Sequence, residues 1–273
     1  MKQKPRLHAL VTGATGGIGQ GICMALIERA RKEDMDIHIT AAGLHKGERI
    51  DALVASLRGA GSGASGIAGD VTDAAQCRSL VDEAISLGGD LNALVCVAGA
   101  SIPGRLADLS VADWDQTFNL NARSVWLMAQ AARASLLRTR GSITAIASMS
   151  GLFPHPGYGA YSPAKAALVM LCKQLAQEWG SDGIRTNSVC PGMIRTPLTE
   201  AVYQDEEMLQ QRAALVPVGR IGVPDDIGQA VAYLVGDGAS YVNGVSLVVD
   251  GGVSEHMLSL IPGRPRKEEG QRR

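Results

Sequence analysis

Three side chains between Ser148 and Lys165 have the types and spacing to move a proton together: a hydroxyl at Ser148, a phenol at Tyr161 and an ammonium at Lys165. Tyr161 and Lys165 are four residues apart, so on a helix they share one face. A cation held beside a phenol favours the phenolate and lowers the tyrosine pKa. Such a pair is a general acid/base that works nearer neutrality than free tyrosine. Taken alone, the pair also fits an ordinary exposed helix, and Ser148 could simply cap a strand.

The elements that must position these groups follow from the local pattern. Ile143, Ala145 and Ile146 form an apolar run that predicts a buried strand delivering Ser148 at its carboxyl end. Two prolines and two glycines make residues 152–159 a loop. Residues 160–179 predict a helix, with Pro163 tolerated in its first turn. Near the start, residues 8–12 predict a buried strand and residues 13–19 a glycine-rich turn; Ile18, Ile22 and Leu26 mark one face of the next helix. That order points free backbone N–H groups and a helix dipole at a phosphate.

The alternation continues. Strands are predicted at residues 37–41, ending at Asp70, and at 91–97, 184–189 and 245–249. Helices are predicted at residues 48–57, 74–87, 110 to about 138 and 224–235. Residues 59–66 read as a flexible surface connection, and residues 198–215 as a polar helical insertion. Apolar strands alternating with helices predict an α/β protein: a three-layer doubly wound Rossmann-type fold with a seven-stranded parallel sheet.

The composition frames this as one globular unit. The chain has 273 residues, 46% hydrophobic and 19% charged, with a net charge of -1. That balance makes no electrostatic case for nucleic acid or an anionic membrane. No apolar run is long enough to span a bilayer and no signal peptide is visible, so a cytoplasmic protein is expected. Cys23, Cys77, Cys96, Cys172 and Cys190 are scattered without a Cys-x-x-Cys pair, which reads as reduced, buried thiols. One catalytic and dinucleotide-binding domain is expected over residues 1–255, with a lid at about 198–218 and a tail at 256–273.

Taken in order, the motifs resemble the short-chain dehydrogenase/reductase family in its compact single-domain branch. The matching residues are Thr12-Gly13-x3-Gly17-x-Gly19, Asp70-Val71, Ala98-Gly99, Asn119, Ser148, Tyr161-x3-Lys165 and Asn187-x3-Pro191-Gly192-x3-Thr196. Gly219-Arg220, Pro224-x-Asp226-Ile227 and Asp250-Gly251-Gly252 complete the set. The resemblance implies an NAD(P)-dependent oxidoreductase that interconverts a secondary alcohol and a ketone by hydride transfer.

In that scheme Tyr161 exchanges a proton with the substrate oxygen and Ser148 hydrogen-bonds the same oxygen. Lys165 holds the nicotinamide ribose and lowers the phenol pKa, and Asn119 positions a water. Gly13, Gly17, Ile18 and Gly19 surround the pyrophosphate, Asp70 and Val71 face the adenine, and Ala98 and Gly99 lie against its ribose. Pro191, Gly192, Met193, Ile194 and Thr196 address the nicotinamide end, where Tyr161 and Lys165 also touch the cofactor. The family implies a homotetramer or homodimer and no metal. One departure is Cys96-Val97, where the family commonly has two asparagines; a buried strand reading is retained for both.

Cofactor choice turns on the end of the second strand, Thr40-Ala41-Ala42-Gly43-Leu44-His45-Lys46. No acid stands before Glu48 to repel a 2′-phosphate, and His45 and Lys46 follow. The usual base inside the glycine loop is replaced by Gly16. NADP or NAD both fit, with a tilt toward NADP. Loops around Ile102, Met149, Leu152 and Phe153 make a largely apolar pocket in which His155 and Tyr158 are polar exceptions. A 3-oxoacyl-thioester (acyl carrier protein) reductase is the alternative, for which Arg105, Arg123 and Arg133 could form a docking surface. A non-catalytic nucleotide-sensing protein is the alternative of another class.

Overall fold

The computed structural model describes residues 4–256 except Leu198. Seven parallel strands form one sheet in the order β3-β2-β1-β4-β5-β6-β7. They are β1 (Arg6–Thr12), β2 (Asp36–Gly43), β3 (Gly63–Ala68), β4 (Ala93–Cys96), β5 (Ser142–Ile146), β6 (Arg185–Pro191) and β7 (Ser246–Val249). This matches the expected strand number, direction and class.

Alternate residues of the strands feed two separate cores, as a pleated sheet requires. Leu10, Leu94 and Ile143 pack with Leu80, Leu136 and Leu168 from α3 (Ala74–Gly88), α5 (Ser124–Thr139) and α6 (Tyr161–Trp179). On the opposite face Val11, Val95 and Val189 pack with Ile22, Leu57 and Val231. Those three come from α1 (Gly17–Lys32), α2 (Glu48–Gly59) and α9 (Pro224–Val235). With each buried leucine or isoleucine contributing about 1.5–3 kcal/mol, two aliphatic layers hold the sheet edge to edge.

The strand order reverses between β1 and β4, and a crevice opens there at the carboxyl ends of the strands. Thr12, at the end of β1, accepts hydrogen bonds at Oγ1 from the Val97 and Ala98 N–H groups, tying both walls of the crevice together.

Several boundaries differ from expectation, each for a physical reason. The expected flexible connection at residues 59–66 runs into β3, which pairs with β2 from His38↔Gly63 to Gly43↔Ala68. Its small residues are there for space: a Cβ on Gly63 would sit 2.8 Å from His38 Nδ1, and one on Gly66 3.2 Å from Ile50 and Val54. The strand stops at Ala68, short of Asp70. The long helix expected from Ser110 is divided into α4 (Val111–Phe118), a π-helical turn (Asn119–Arg123) and α5. The insertion forms two helices, α7 (Glu200–Tyr203) and α8 (Glu206–Ala214). Pro191 closes β6 rather than breaking it. Of the tail expected at 256–273, residues 257–273 lie outside the described residues.

Candidate active site

The glycine loop is shaped by contacts that leave no room for side chains. Gly13 has φ +62°, and a Cβ there would lie 2.7 Å from the Ala98 nitrogen. A Cβ on Gly19 would lie 2.4 Å from the Gly13 carbonyl oxygen, and one on Gly17 2.9 Å from Thr196 and Pro197. Residues predicted from three distant motifs thus meet in one crevice. Gly16 caps α1 with no side-chain hydrogen bond, and the first turn carries no acid. Its unsatisfied N–H groups and dipole are therefore available to an anion, and a bare glycine wall admits a dinucleotide pyrophosphate. The residues present fit a nicotinamide dinucleotide.

Past the end of β3, Asp70 Oδ1 accepts from the backbone N–H and hydroxyl of Thr72, while Asp73 caps α3 through the Ala75 and Gln76 N–H groups. Capping is therefore not Asp70's task. Val71 is buried beside it. At the other end Gly192 packs on Asp250, Ile194 bridges Gly222, and Thr199 Oγ1 accepts from the Thr196 N–H.

Beyond the crevice, β5 ends at Ile146 and the chain turns at Ser148, whose hydroxyl accepts from the Ser150 N–H at 3.0 Å. Tyr161 opens α6 and Lys165 follows one turn later, buried, donating to the Ile146 carbonyl at 2.8 Å. The ammonium stands 5.6 Å from the Tyr161 ring centroid. Ser148, Tyr161 and Lys165 are thus brought together as expected.

The asparagine of the group is a different one. Asn121, fully buried, holds the Ala100 and Thr117 carbonyls through Nδ2 at 2.7 and 2.9 Å. Its Oδ1 is buried without a partner. The expected Asn119 is half-buried, and its side chain makes no hydrogen bond among the described residues. Two positions along a helix carry a side chain to nearly the opposite face, so only one of the two can look at Lys165. The Asn-x-Asn repeat in the sequence was the available signal.

The electrostatics also correct an expectation. Burial pushes the Tyr161 phenol above its ordinary value, the facing Ser148 hydroxyl pulls it back, and Tyr158 adds to the rise. The predicted lowering by Lys165 is absent: desolvation of the buried phenol is the dominant influence, and only Ser148 opposes it. Lys165 itself is pushed down to about 8 by burial, opposed by the thiols of Cys172, Cys190 and Cys96. All five cysteines are buried and unpaired, and burial raises the Cys96 and Cys190 thiols away from reactivity.

Past the end of β2, the side chains of His45 and Lys46 are exposed, and Lys46 lies 3.9 Å from Glu83. Arg49, which sequence reading missed, reaches back from α2 to the Thr15 carbonyl of the glycine loop at 3.4 Å. Its signal was a cation in the first turn of the helix after β2.

A family model described as enoyl-(acyl carrier protein) reductase (adh_short_C2) matches residues 13–254. A 2,5-dichloro-2,5-cyclohexadiene-1,4-diol dehydrogenase from Sphingobium indicum is 34% identical over 90% of this chain and 95% of its own. The chain belongs to the short-chain dehydrogenase/reductase family. A 3-oxoacyl-[acyl-carrier-protein] reductase from Staphylococcus aureus is 33% identical over 90% of this chain and 97% of its own. The crystal structure of a candidate NAD(P)-dependent gluconate 5-dehydrogenase from Beutenbergia cavernae, with NADP at low occupancy, superposes with a TM-score of 0.81. It is 29% identical and covers 90% of this chain and 96% of its own. As a member of this family the protein is an NAD(P)-dependent oxidoreductase acting on alcohol and carbonyl groups. No helix among the described residues is long and apolar enough to cross a membrane.

Proposed function

We propose that this protein reduces a ketone, or oxidises the matching secondary alcohol, with Tyr161 as the proton-carrying group and Ser148 hydrogen-bonded to the same substrate oxygen. The observation that carries this is the buried Lys165 and the Ser148–Tyr161 pair at the open end of a crevice whose floor is bare glycine. The nicotinamide supplies or accepts hydride when bound.

The chain's own residues do the rest. Tyr161, held protonated by burial, gives its proton to the oxygen as charge develops there, and Ser148 stabilises that charge with its hydroxyl. Lys165 binds the nicotinamide ribose and restores the phenol's proton. Asn121, in place of Asn119, holds a water against the ammonium through its unpartnered Oδ1.

For the dinucleotide, Gly13, Gly17, Ile18 and Gly19 hold the pyrophosphate and Asp70 and Val71 the adenine, while Ala98 and Gly99 back its ribose. Pro191, Gly192, Met193, Ile194 and Thr196 hold the carboxamide end. NADP is the preferred form. The end of β2 has no acid to repel a 2′-phosphate, Arg49 stands against the glycine loop, and the Beutenbergia relative holds NADP. Residues 1–255 work as one cytoplasmic domain, α7 and α8 act as its lid, and two or four copies assemble.

The 3-oxoacyl-thioester reading has the Staphylococcus relative in its favour. Its docking surface fares less well: Arg123 is bound to the Thr72 carbonyl and Arg133 to Asp182, and of the three only Arg105 has no side-chain partner among the described residues.

A panel of ketones and acyl thioesters assayed with NADPH and NADH tests the proposal. NADPH-dependent turnover of ketones supports it, and thioester-only turnover selects the alternative. Nucleotide binding with no turnover of any substrate points to a sensor.

A further inference from the structure

The two hydroxyls of the proposed chemistry reach the site on different pieces of chain. Ser148 caps a 3-10 turn (Met149–Gly151), accepting from the Ser150 N–H at 3.0 Å. Tyr161 is the first residue of α6, and residues 152–160 link the two. Packing seats the turn on α6, where a Cβ on Gly151 would lie 2.8 Å from the Lys165 carbonyl. Close contact of that kind locates the turn, but its tilt, and with it the aim of Ser148, needs a directional bond.

One residue of the linking loop supplies that bond. His155 Nδ1 lies 2.9 Å from the Ser150 hydroxyl, and the His155 backbone N–H donates to Ser162 Oγ at 3.1 Å. These two serines adjoin the reacting pair: Ser150 holds Ser148 through its own N–H, and Ser162 follows Tyr161 in α6. The imidazole is itself held in place. It stacks on the Tyr158 ring at 3.8 Å between centroids, with 29° between the planes, and the Tyr158 carbonyl accepts from the Tyr161 N–H at 3.1 Å. His155 is thus tied to the Ser148 side by its ring and to the Tyr161 side by its backbone.

We propose that His155 is a positioning residue that keeps the Ser148 hydroxyl in register with the Tyr161 phenol through Ser150; this rests on the oxidoreductase reading above. The imidazole acts on the turn and leaves the reacting oxygen to Ser148 and Tyr161. A hydroxyl misplaced by about 1 Å can cost about 10²-fold in rate, so a single hydrogen bond at one remove has a large effect. The ring also walls, with Met149 and Phe153, a cavity of about 290 Å³. A wall role alone would make its removal matter only to ketones large enough to fill that cavity.

The test is a double-mutant cycle on kcat with NADPH, using the smallest and the largest ketone that the panel above shows to be turned over. His155→Leu and Ser150→Ala should each lower kcat by about 10–10²-fold for both ketones, with nucleotide affinity and Tm close to wild type. Because both act through one bond, the double variant should be no slower than the slower single variant. His155→Asn, whose amide reaches the place of Nδ1, should recover most of the rate. Unchanged kcat in the single variants, losses that multiply in the double variant, a loss confined to the larger ketone, or His155→Asn no better than His155→Leu overturns the proposal. If His155→Leu does not fold, Ser150→Ala and His155→Asn still decide, the first expected to lose kcat and the second to keep it. If no ketone is turned over, the oxidoreductase reading fails. The separation of the Ser148 and Tyr161 hydroxyls in crystals of Ser150→Ala and wild type then decides, with a changed separation in favour and an unchanged one against.

Discussion

Asn121 Oδ1 and the Lys165 ammonium close on the same point above Gly99: a Cβ placed there would lie 2.8 Å from the oxygen and 3.2 Å from the nitrogen. Lys165, the π-helical turn and the loop after β4 are therefore packed as one unit, with the glycine as its spacer. Gly99→Ala should push Lys165 or Asn121 out of place, with an overpacking cost of about 1–3 kcal/mol. Thermal unfolding and steady-state kinetics check this. A variant with unchanged Tm and unchanged kcat would show that the spacer is not needed.

Asn121 and Asn119 make a controlled pair. Asn121→Ala removes the donor to the buried Thr117 carbonyl and to the solvent-accessible Ala100 carbonyl, which should cost about 1–3 kcal/mol, chiefly at Thr117. It should also lower kcat by about tenfold or more, since proton supply to Lys165 contributes on the scale of general acid–base catalysis. Asn119→Ala should change neither quantity appreciably. The reverse pattern, measured by denaturant titration and kcat, would return the role to Asn119.

Lys165 gives the pH dependence. Its pKa is pushed down to about 8, so the ammonium is complete below that value and lost above it. The nucleotide's kcat/KM reports ionisations of the free enzyme, and it should fall on the basic side near pH 8. Tyr161 is raised and does not contribute to that limb. Lys165→Arg, which keeps its charge, should have lower activity but no such limb. A profile flat to pH 10 in the wild type would exclude the lysine as the group responsible.

Much of this site was legible because it is local. The glycine loop, Ser148 and the Tyr161–Lys165 pair are each fixed by short-range spacing, and the sheet followed from the alternation of apolar strands with helices. What was hidden depends on tertiary packing. Asn119 and Asn121 differ only in helical phase, which a π-turn sets. The small residues of β3 look like a linker until α2 and His38 are packed against them. The raised Tyr161 pKa reflects burial, which spacing does not report.

His8 supplies an acid-stability prediction away from the site. Its ring is fully buried, bonded to the Gly89 carbonyl and Thr40 Oγ1, and its pKa falls from 6.5 to about 4, mainly through desolvation. The folded state thus refuses a proton that the unfolded chain accepts. Stability from this group is complete above pH 6.5 and is lost as pH falls from there to about 4, on the order of 3 kcal/mol in all. Urea midpoints should drop across that window in the wild type and less steeply in His8→Gln. Parallel slopes in the two proteins would remove His8 as the cause.

The most direct test of the central claim is single-turnover reduction of a ketone substrate by Tyr161→Phe, followed by loss of NADPH absorbance, with nucleotide affinity measured on the same protein. The account predicts affinity within about twofold of wild type and a hydride-transfer rate lower by about 10²–10⁴-fold, the contribution of a positioned general acid. Hydride transfer at the wild-type rate in that variant would contradict it.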